Sequence, residues 1–453
     1  MADNRSTRLS RIRTLESTAR LLEPTGDERN TWNNAACSFA VDSFHSEDYS
    51  DEGSDIEPLL EYLDLHLHHP GINAASGGHL GYVPGGGIYG ASLGDYLAAV
   101  FNRYAGIYFA SPGAVKMENS LIRWTGNLIG YTGNFAGNLT SGGSIANLIA
   151  IATARSAKQI RGMDYPRQAI YFSEHVHHCV TKDLRILGMD ECVLREIPVD
   201  HNFHMDPAAL ERQVSSDIDQ GLNPFLVIAT AGTTDSGVVD PLEKIADISE
   251  KYDLWYHVDG AYGGYFILTQ HGRTVLKGIE RSDSFVVDPH KSLFLPFGSG
   301  MVVVRESRFL KNAHNATANY MQDAEAFDEE LSPADASPEL TKHFRGLRMW
   351  LPLRLHGIKP FRACLNEKLE LARYFYDEVK SQGFHTGPEP ELTIVLFRKG
   401  NDASSNDENR KIARELIRDG QIFISTTSIN GIYWLRVAIL SFRTHVHHID
   451  IFL

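Results

Sequence analysis

Between residues 142 and 305, short and uniformly apolar runs alternate with longer segments whose apolar positions recur every three to four residues. The runs at 169–172, 225–229, 254–258, 285–287 and 301–304 lack the alternation of a strand with one wet face, so they predict strands buried on both sides. The segments between them, such as 242–252, carry an apolar stripe on a charged surface and predict helices. Strands and helices alternating in this way predict an α/β domain built on a mostly parallel sheet. Upstream, residues 58–155 read mostly as helix, broken by the Gly-rich stretch 81–90 and by Ser111-Pro112-Gly113. Downstream, a helical stretch at 344–356, a helix near 365–381 and strand-like runs at 392–397 and 433–440 predict a smaller α+β domain. Residues 1 to about 55 are polar, end in the acidic, Ser-rich run 46–55, and predict an arm suited to packing on a second subunit.

A chain of 453 residues with 43% hydrophobic and 22% charged residues is too long for one small core, so more than one domain is expected. The net charge of -14 is spread along the chain, and the only basic cluster is Arg5, Arg8, Arg11 and Arg13. That balance argues against nucleic acid as a partner. Cys37, Cys179, Cys192 and Cys364 are far apart and form no CxxC pair, which favours a reducing compartment over a disulfide framework. No stretch approaches the roughly 20 apolar residues of a membrane span. The expectation is a cytoplasmic protein with no membrane partner.

Candidate chemistry sits at the ends of the predicted strands. Asp259 closes the run 254–258 within HVDGAYGG, and Lys291 follows the run 285–287 within SFVVDPHKS. In an open parallel sheet the carboxyl ends of the strands line the ligand crevice, which brings an amine and a carboxylate together. Thr140-Ser141-Gly142-Gly143-Ser144 precedes a helical stretch, where free backbone N–H groups and the positive helix end suit a phosphate. Pyridoxal 5'-phosphate needs these three things: an amine for its aldehyde, a carboxylate for its pyridine nitrogen and a phosphate cradle. Singly, each feature is more often a solvated loop charge or an ordinary helix cap.

Several segments together carry a resemblance: GYVPGGGIYGASLGDYLAAV, ASPGAVKMEN, TSGGSIAN, HVHHCV, TAGTTDSG, HVDGAYGG, DPHKSLF and HFRGLRMW. Over residues 81–444 the sequence resembles the group II pyridoxal-phosphate decarboxylases, which act on aromatic amino acids, histidine and glutamate. The resemblance implies the aspartate-aminotransferase-like fold type I, with a large seven-stranded domain and a small C-terminal domain. It also implies a homodimer with the active site at its interface. The corresponding division is 1–95 for the arm and dimer-packing segment, 96–355 for the cofactor-binding domain and 356–453 for the small domain. By matching position, Lys291 carries the cofactor as a Schiff base, Asp259 pairs with the pyridine nitrogen, Ala261 lies under the ring and His177 stacks over it. Gly143, Ser144 and His290 hold the phosphate, and Asp288 stands where some members have Asn. Thr233 lines the site near the substrate, Tyr82 and Pro84 belong to the substrate pocket, and Arg436 is favoured over Arg443 for the substrate carboxylate. The implied reaction is decarboxylation of an aromatic or acidic amino acid to its amine and CO2.

The sequence departs from the family in one consequential place. A Tyr that protonates the carbanionic intermediate in other members is absent from AEAFDEELSPADASPELTKHF. Ala336 falls at that position, leaving Tyr320 and His343 as substitutes. Loss of this Tyr is linked in some members to oxygen-dependent aldehyde formation, so an aldehyde synthase is a second reading and a catalytically inactive homologue a third. Ser292 replaces a bulky aromatic after the lysine, and Ile145 replaces an acidic or polar residue after TSGGS. Gly85-x-Gly87-x-x-Gly90 matches the dinucleotide fingerprint but lacks the strand before it and the acid after it, and reads as a substrate-side loop. The histidine groups 66/68/69, 175/177/178 and 445/447/448 have no HExxH or CxxC partner, and no metal is expected.

Overall fold

The computed structural model describes residues 2–20, 55–68, 71–315 and 330–453. After a two-residue strand β1 (His79–Leu80), seven strands form the central sheet: β2 (Ala136–Thr140), β3 (Gln168–Ser173), β4 (Val193–Ile197), β5 (Asn223–Thr230), β6 (Trp255–Asp259), β7 (Ser284–Val287) and β8 (Gly300–Val304). Their spatial order is β2-β8-β7-β6-β5-β3-β4, and only β8 runs against its neighbours. The five apolar runs read from sequence are β3, β5, β6, β7 and β8. β2 and β4 escaped that reading: AGNLT is short and Gly-containing, and VLREI is only half buried.

The uniformly apolar strands follow from burial on both faces. Val227, Ala229, Tyr256, Val258, Phe285 and Val287 point into one core. Leu226, Ile228, Trp255, Val286, Val302 and Val304 point into the other. Because successive side chains alternate, neither face has room for a polar residue without a partner.

The C-terminal region supplies β9 (His385–Thr386), β10 (Ile394–Arg398), β11 (Phe423–Ile429) and β12 (Ile432–Ala438), which form a second sheet in the order β1-β11-β12-β10-β9. β1 therefore ties the segment ahead of the Gly-rich loop to this sheet, pairing His79 with Phe423. The polar N-terminal stretch contains a helix, Ala2–Ala19, which packs on the helix Ile358–Ser381 of its own chain. Ile12 is buried there, while Arg5 pairs with Glu378, Arg8 with Asp377 and Arg11 with Glu370. The acidic run 46–54, Cys37 and Tyr320 lie outside the described residues. No helix among the described residues is long and apolar enough to cross a membrane.

Candidate active site

The pairing pattern puts the carboxyl ends of β2, β3, β5, β6 and β7 at one edge of the sheet. The loops that leave those ends enclose a cavity of about 320 Å³. Gly143, Ser144, His177, Asp259, Ala261, Asp288, His290 and Lys291 all line it. Residues scattered over about 150 positions thus converge because parallel strands deliver their C-termini to the same side.

Lys291 lies in the single turn Pro289–Ser292 that follows β7, and its Nζ is 3.0 Å from Asp288 Oδ2. Burial pulls the amine's pKa down, but the charges of Asp288 and Asp259 and the hydrogen bond to Asp288 outweigh it and hold the pKa above its ordinary value. Asp288 is 1% exposed, and its Oδ1 has no protein partner. Asp259 accepts from Asn147 Nδ2 on Oδ2 and from the Ala261 N–H on Oδ1, both at 3.0 Å. His290 donates from Nδ1 to the Ser299 carbonyl (2.6 Å), and burial pushes its pKa down. The Cys179 N–H donates to His177 Nδ1 at 3.2 Å, which leaves the ring proton on Nε2. Burial likewise lowers the His177 pKa, against the pull of Asp259.

The start of the helix Gly143–Ala157 forms one wall. A Cβ on Gly143 would sit 3.0 Å from Asp288 Oδ2 and 3.2 Å from Ala261 Cβ, so a side chain there would press on the carboxylate. The Gly-rich loop upstream is used in the same way. A Cβ on Gly85 would lie 2.3 Å from the His290 carbonyl oxygen, and Arg443 donates to the Gly86 carbonyl. Gly85, the first glycine of the G-x-G-x-x-G spacing, therefore serves close packing of this loop against the lysine turn.

Four expected site residues sit elsewhere. Thr233 is fully buried, and its hydroxyl pairs with Ser236 (2.8 Å); its neighbour Thr234 lines the cavity. Arg436 is 3% exposed behind Thr234 and does not line the cavity. Its Nε donates to the carbonyls of Thr234 and Asp235, and its Nη1 to Tyr82 O and Ser425 Oγ. Tyr82, 61% exposed with φ +56°, and Pro84, buried, belong to the loop Arg436 clamps and are not in the lining. Sequence reasoning also missed Asn147, Cys179 and Tyr262. Asn147 was within reach, since it follows Gly143 by four residues and so shares its helix face.

Residues 45–399 match the pyridoxal-dependent decarboxylase conserved domain. The chain belongs to that family. The aromatic-L-amino-acid decarboxylase of Bacillus atrophaeus is 32% identical over 406 residues, covering 88% of this chain and 84% of the relative. Tyrosine decarboxylase 4 of Petroselinum crispum is 29% identical over 416 residues, covering 87% and 82%. Among solved structures, Oryza sativa TDC with PLP and tryptamine superposes with a TM-score of 0.85 at 24% identity, covering 94% of this chain and 96% of that one. Rhodiola rosea 4-hydroxyphenylacetaldehyde synthase does so with 0.83 at 20% identity, covering 100% and 96%. The enzyme has fold type I, is a carboxy-lyase acting on an amino acid, and uses pyridoxal 5'-phosphate.

The cavity fits that cofactor. It holds the Lys291 amine, the carboxylate of Asp259, a second buried carboxylate, Asp288, whose Oδ1 has no protein partner, and a helix start with no side chain at Gly142 and Gly143. The family's departures have local causes as well. Ser292 is fully buried and donates to the Tyr262 carbonyl (2.8 Å), a place with no volume for an aromatic. Ala336 is fully buried after the turn Pro333–Asp335, packed in the second core. His343 is tied to Asp95 (2.7 Å). Among the described residues, Glu16, Glu367 and His445 bring ligand-type atoms within 4.8 Å of one another, but Lys368 already supplies a positive charge 3.0 Å from Glu367.

Proposed function

We propose that this enzyme removes the carboxylate of an aromatic L-amino acid, with Lys291 as the residue that holds the cofactor's aldehyde carbon. The observation that carries the reading is Lys291 between two buried carboxylates, Asp288 at 3.0 Å and Asp259, within one cavity. The names of two relatives, an aromatic-amino-acid and a tyrosine decarboxylase, support the aromatic class.

When bound, the cofactor supplies a protonated pyridine ring that accepts the electron pair left behind by CO2. The residues of the chain do the rest. Asp259, which already accepts from two N–H donors, would be the acceptor for the pyridine N–H. Gly143, Ser144 and His290 hold the phosphate at the helix start. Ala261 and His177, both in the cavity wall, would hold the ring between them, with the His177 Nε2–H directed by the bond from Cys179 N–H. Asp288 accepts the hydrogen bond of the free Lys291 ammonium. Thr234 lines the substrate side, and Arg436 keeps Thr234 and Tyr82 in place through their carbonyls. Loss of CO2 rather than of the Cα proton would depend on how the substrate-side wall holds the substrate carboxylate.

We further assign the enzyme to the cytoplasm and to a homodimer whose interface completes the site. Cys179, Cys192 and Cys364 are unpaired thiols, which suits a reducing compartment. Sedimentation at micromolar concentration tests the dimer.

The test of the activity is CO2 release from a panel of amino acids with oxygen uptake followed in parallel. Expected are a cofactor absorbance band that Lys291→Ala lacks and CO2 release from aromatic amino acids without oxygen consumption. Matched CO2 and oxygen consumption would transfer the enzyme to the aldehyde-forming class; the absence of the family's loop Tyr from residues 324–344 is the observation that keeps this second reading in play. No band in the wild type would overturn the site.

A further inference from the structure

Behind Asp259 a continuous chain of hydrogen bonds runs through four buried side chains of β6, β7 and the Gly143–Ala157 helix. Trp255 Nε1 donates to Ser284 Oγ at 2.9 Å, and Ser284 Oγ lies 2.8 Å from His257 Nδ1. His257 Nε2 lies 2.8 Å from Asn147 Oδ1, and Asn147 Nδ2 donates to Asp259 Oδ2 at 3.0 Å. The sequence places them simply. Trp255, His257 and Asp259 are alternate residues of one strand and share a face. Ser284 is the register partner of His257, and Asn147 lies one helical turn beyond Gly143. His257 and Ser284 are 0% exposed and Asn147 is 1%.

The two ends of the chain fix its polarity. An indole nitrogen only donates, and an ionised carboxylate only accepts. Asn147 must therefore turn its NH2 to Asp259 and its oxygen to His257. That oxygen requires a proton on His257 Nε2, so Nδ1 is the acceptor and Ser284 donates to it while accepting from Trp255. Every bond is then satisfied in one arrangement. We propose that Trp255, Ser284, His257 and Asn147 form a positioning chain that fixes the rotation of the Asp259 carboxylate and locks His257 as its neutral Nε2–H tautomer. The proposal rests on the assignment of Asp259 to the pyridine nitrogen. Its chemical content is insulation: an imidazole bonded directly to the carboxylate could share a proton with it, whereas the intervening amide cannot pass one on. Asp259 then faces the cofactor with its carboxylate held in one rotation by Asn147 and the Ala261 N–H. Burial agrees with a neutral His257, pushing its pKa down to about 4.

The test has a part that needs no cofactor. In apoprotein labelled with 15N-histidine, His257, identified by the signals lost in His257→Gln, should hold its proton on Nε2 from pH 5.5 to pH 9, values bracketing the ordinary histidine range. A proton on Nδ1, or titration inside that range, overturns the proposal. The second part compares His257→Phe, Asn147→Leu and His257→Gln for cofactor dissociation constant and for the pH midpoint of the cofactor's visible band. The first two should weaken binding by about tenfold or more, the loss expected for a hydrogen bond to a charged group, and should move the midpoint. His257→Gln, whose amide still donates to Asn147, should stay within about threefold. Wild-type affinity and midpoint in His257→Phe and Asn147→Leu would sink the idea, and so would equal losses in the Gln and Phe variants, which indicate packing alone. If His257→Phe does not fold, Asn147→Leu and the tautomer still decide. A wild type with no band refutes the site reading, and the tautomer of the apoprotein separates that failure from this one.

Discussion

At the scale of single residues, the cavity is organised by which buried charge faces which. Lys291 is held above its ordinary pKa because Asp288 and Asp259 together outweigh its burial. Asp288→Asn removes the charge at 3.0 Å and leaves burial as the larger influence, so the amine should titrate lower by about one unit or more. The neutral, nucleophilic amine is then present at lower pH. The pH profile for cofactor capture by the apoprotein, followed by absorbance, should shift to lower pH by the same amount, and an unshifted profile would show that Asp288 does not set the amine. Steric fit makes an independent prediction at Gly143, where a Cβ would already press on Asp288 and Ala261. Gly143→Val should weaken cofactor binding by about a hundredfold, the scale of a lost charge-assisted contact set, while circular dichroism of the apoprotein stays unchanged.

At the scale of elements, the loop between β4 and the helix Pro207–Asp219 is fastened to the segment before β10 by His204. Its Nε2 is 2.7 Å from Glu391 Oε1 and its Nδ1 3.3 Å from Asp200 Oδ2. The hydrogen bond to Glu391, against the opposing effect of burial, raises the His204 pKa to about 9. Because the folded value exceeds the unfolded one, the stabilisation is complete below the unfolded pKa near 6.5 and disappears as pH rises through about 9. His204→Gln should therefore lower unfolding free energy by roughly 1–3 kcal/mol at pH 6 and by little above pH 9.5. Urea titrations at the two pH values measure this, and equal losses at both would show that the charge plays no part. β1 is a second fastening, because two residues ahead of the Gly-rich loop pair with β11. Arg436 completes it by clamping Tyr82 and Thr234 together.

At the scale of the whole molecule, the N-terminal helix Ala2–Ala19 adds to the body through few groups. Ile12 is fully buried against the helix Ile358–Ser381, and the flanking arginines pair with Glu370, Asp377 and Glu378. Surface ion pairs contribute little each, so docking depends mainly on the apolar contact. Ile12→Asp places an unpaired charge there. Amide hydrogen exchange over residues 5–19 should accelerate by about a hundredfold or more, with exchange in β5 and β6 unchanged. Protection that persists in the variant would mean that the arginines carry the docking.

Much of this was legible in the chain. The runs that became β3, β5, β6, β7 and β8 announced themselves because strands covered on both faces must be apolar at every position, and Asp259 and Lys291 stood out because each ends or follows such a run. β2, β4 and β11 did not, since half-buried or Gly-containing strands carry a weaker pattern; FISTTSI alternates with its burial but contains little that is apolar. The sequence by itself determined which residue types were available to the site, the sheet that would bring them together, and the glycines that let loop, helix and lysine turn approach. Only the tertiary structure decided that Thr234 rather than Thr233 faces the cavity, that Arg436 turns Nε and Nη1 to three backbone carbonyls and the Ser425 hydroxyl, that Ala336 is packed away, and that Asn147 and His257 stand behind Asp259. The physical reason is that composition and periodicity specify which face of an element is buried. Which buried polar group meets which partner depends on rotations and registers between elements far apart in the chain.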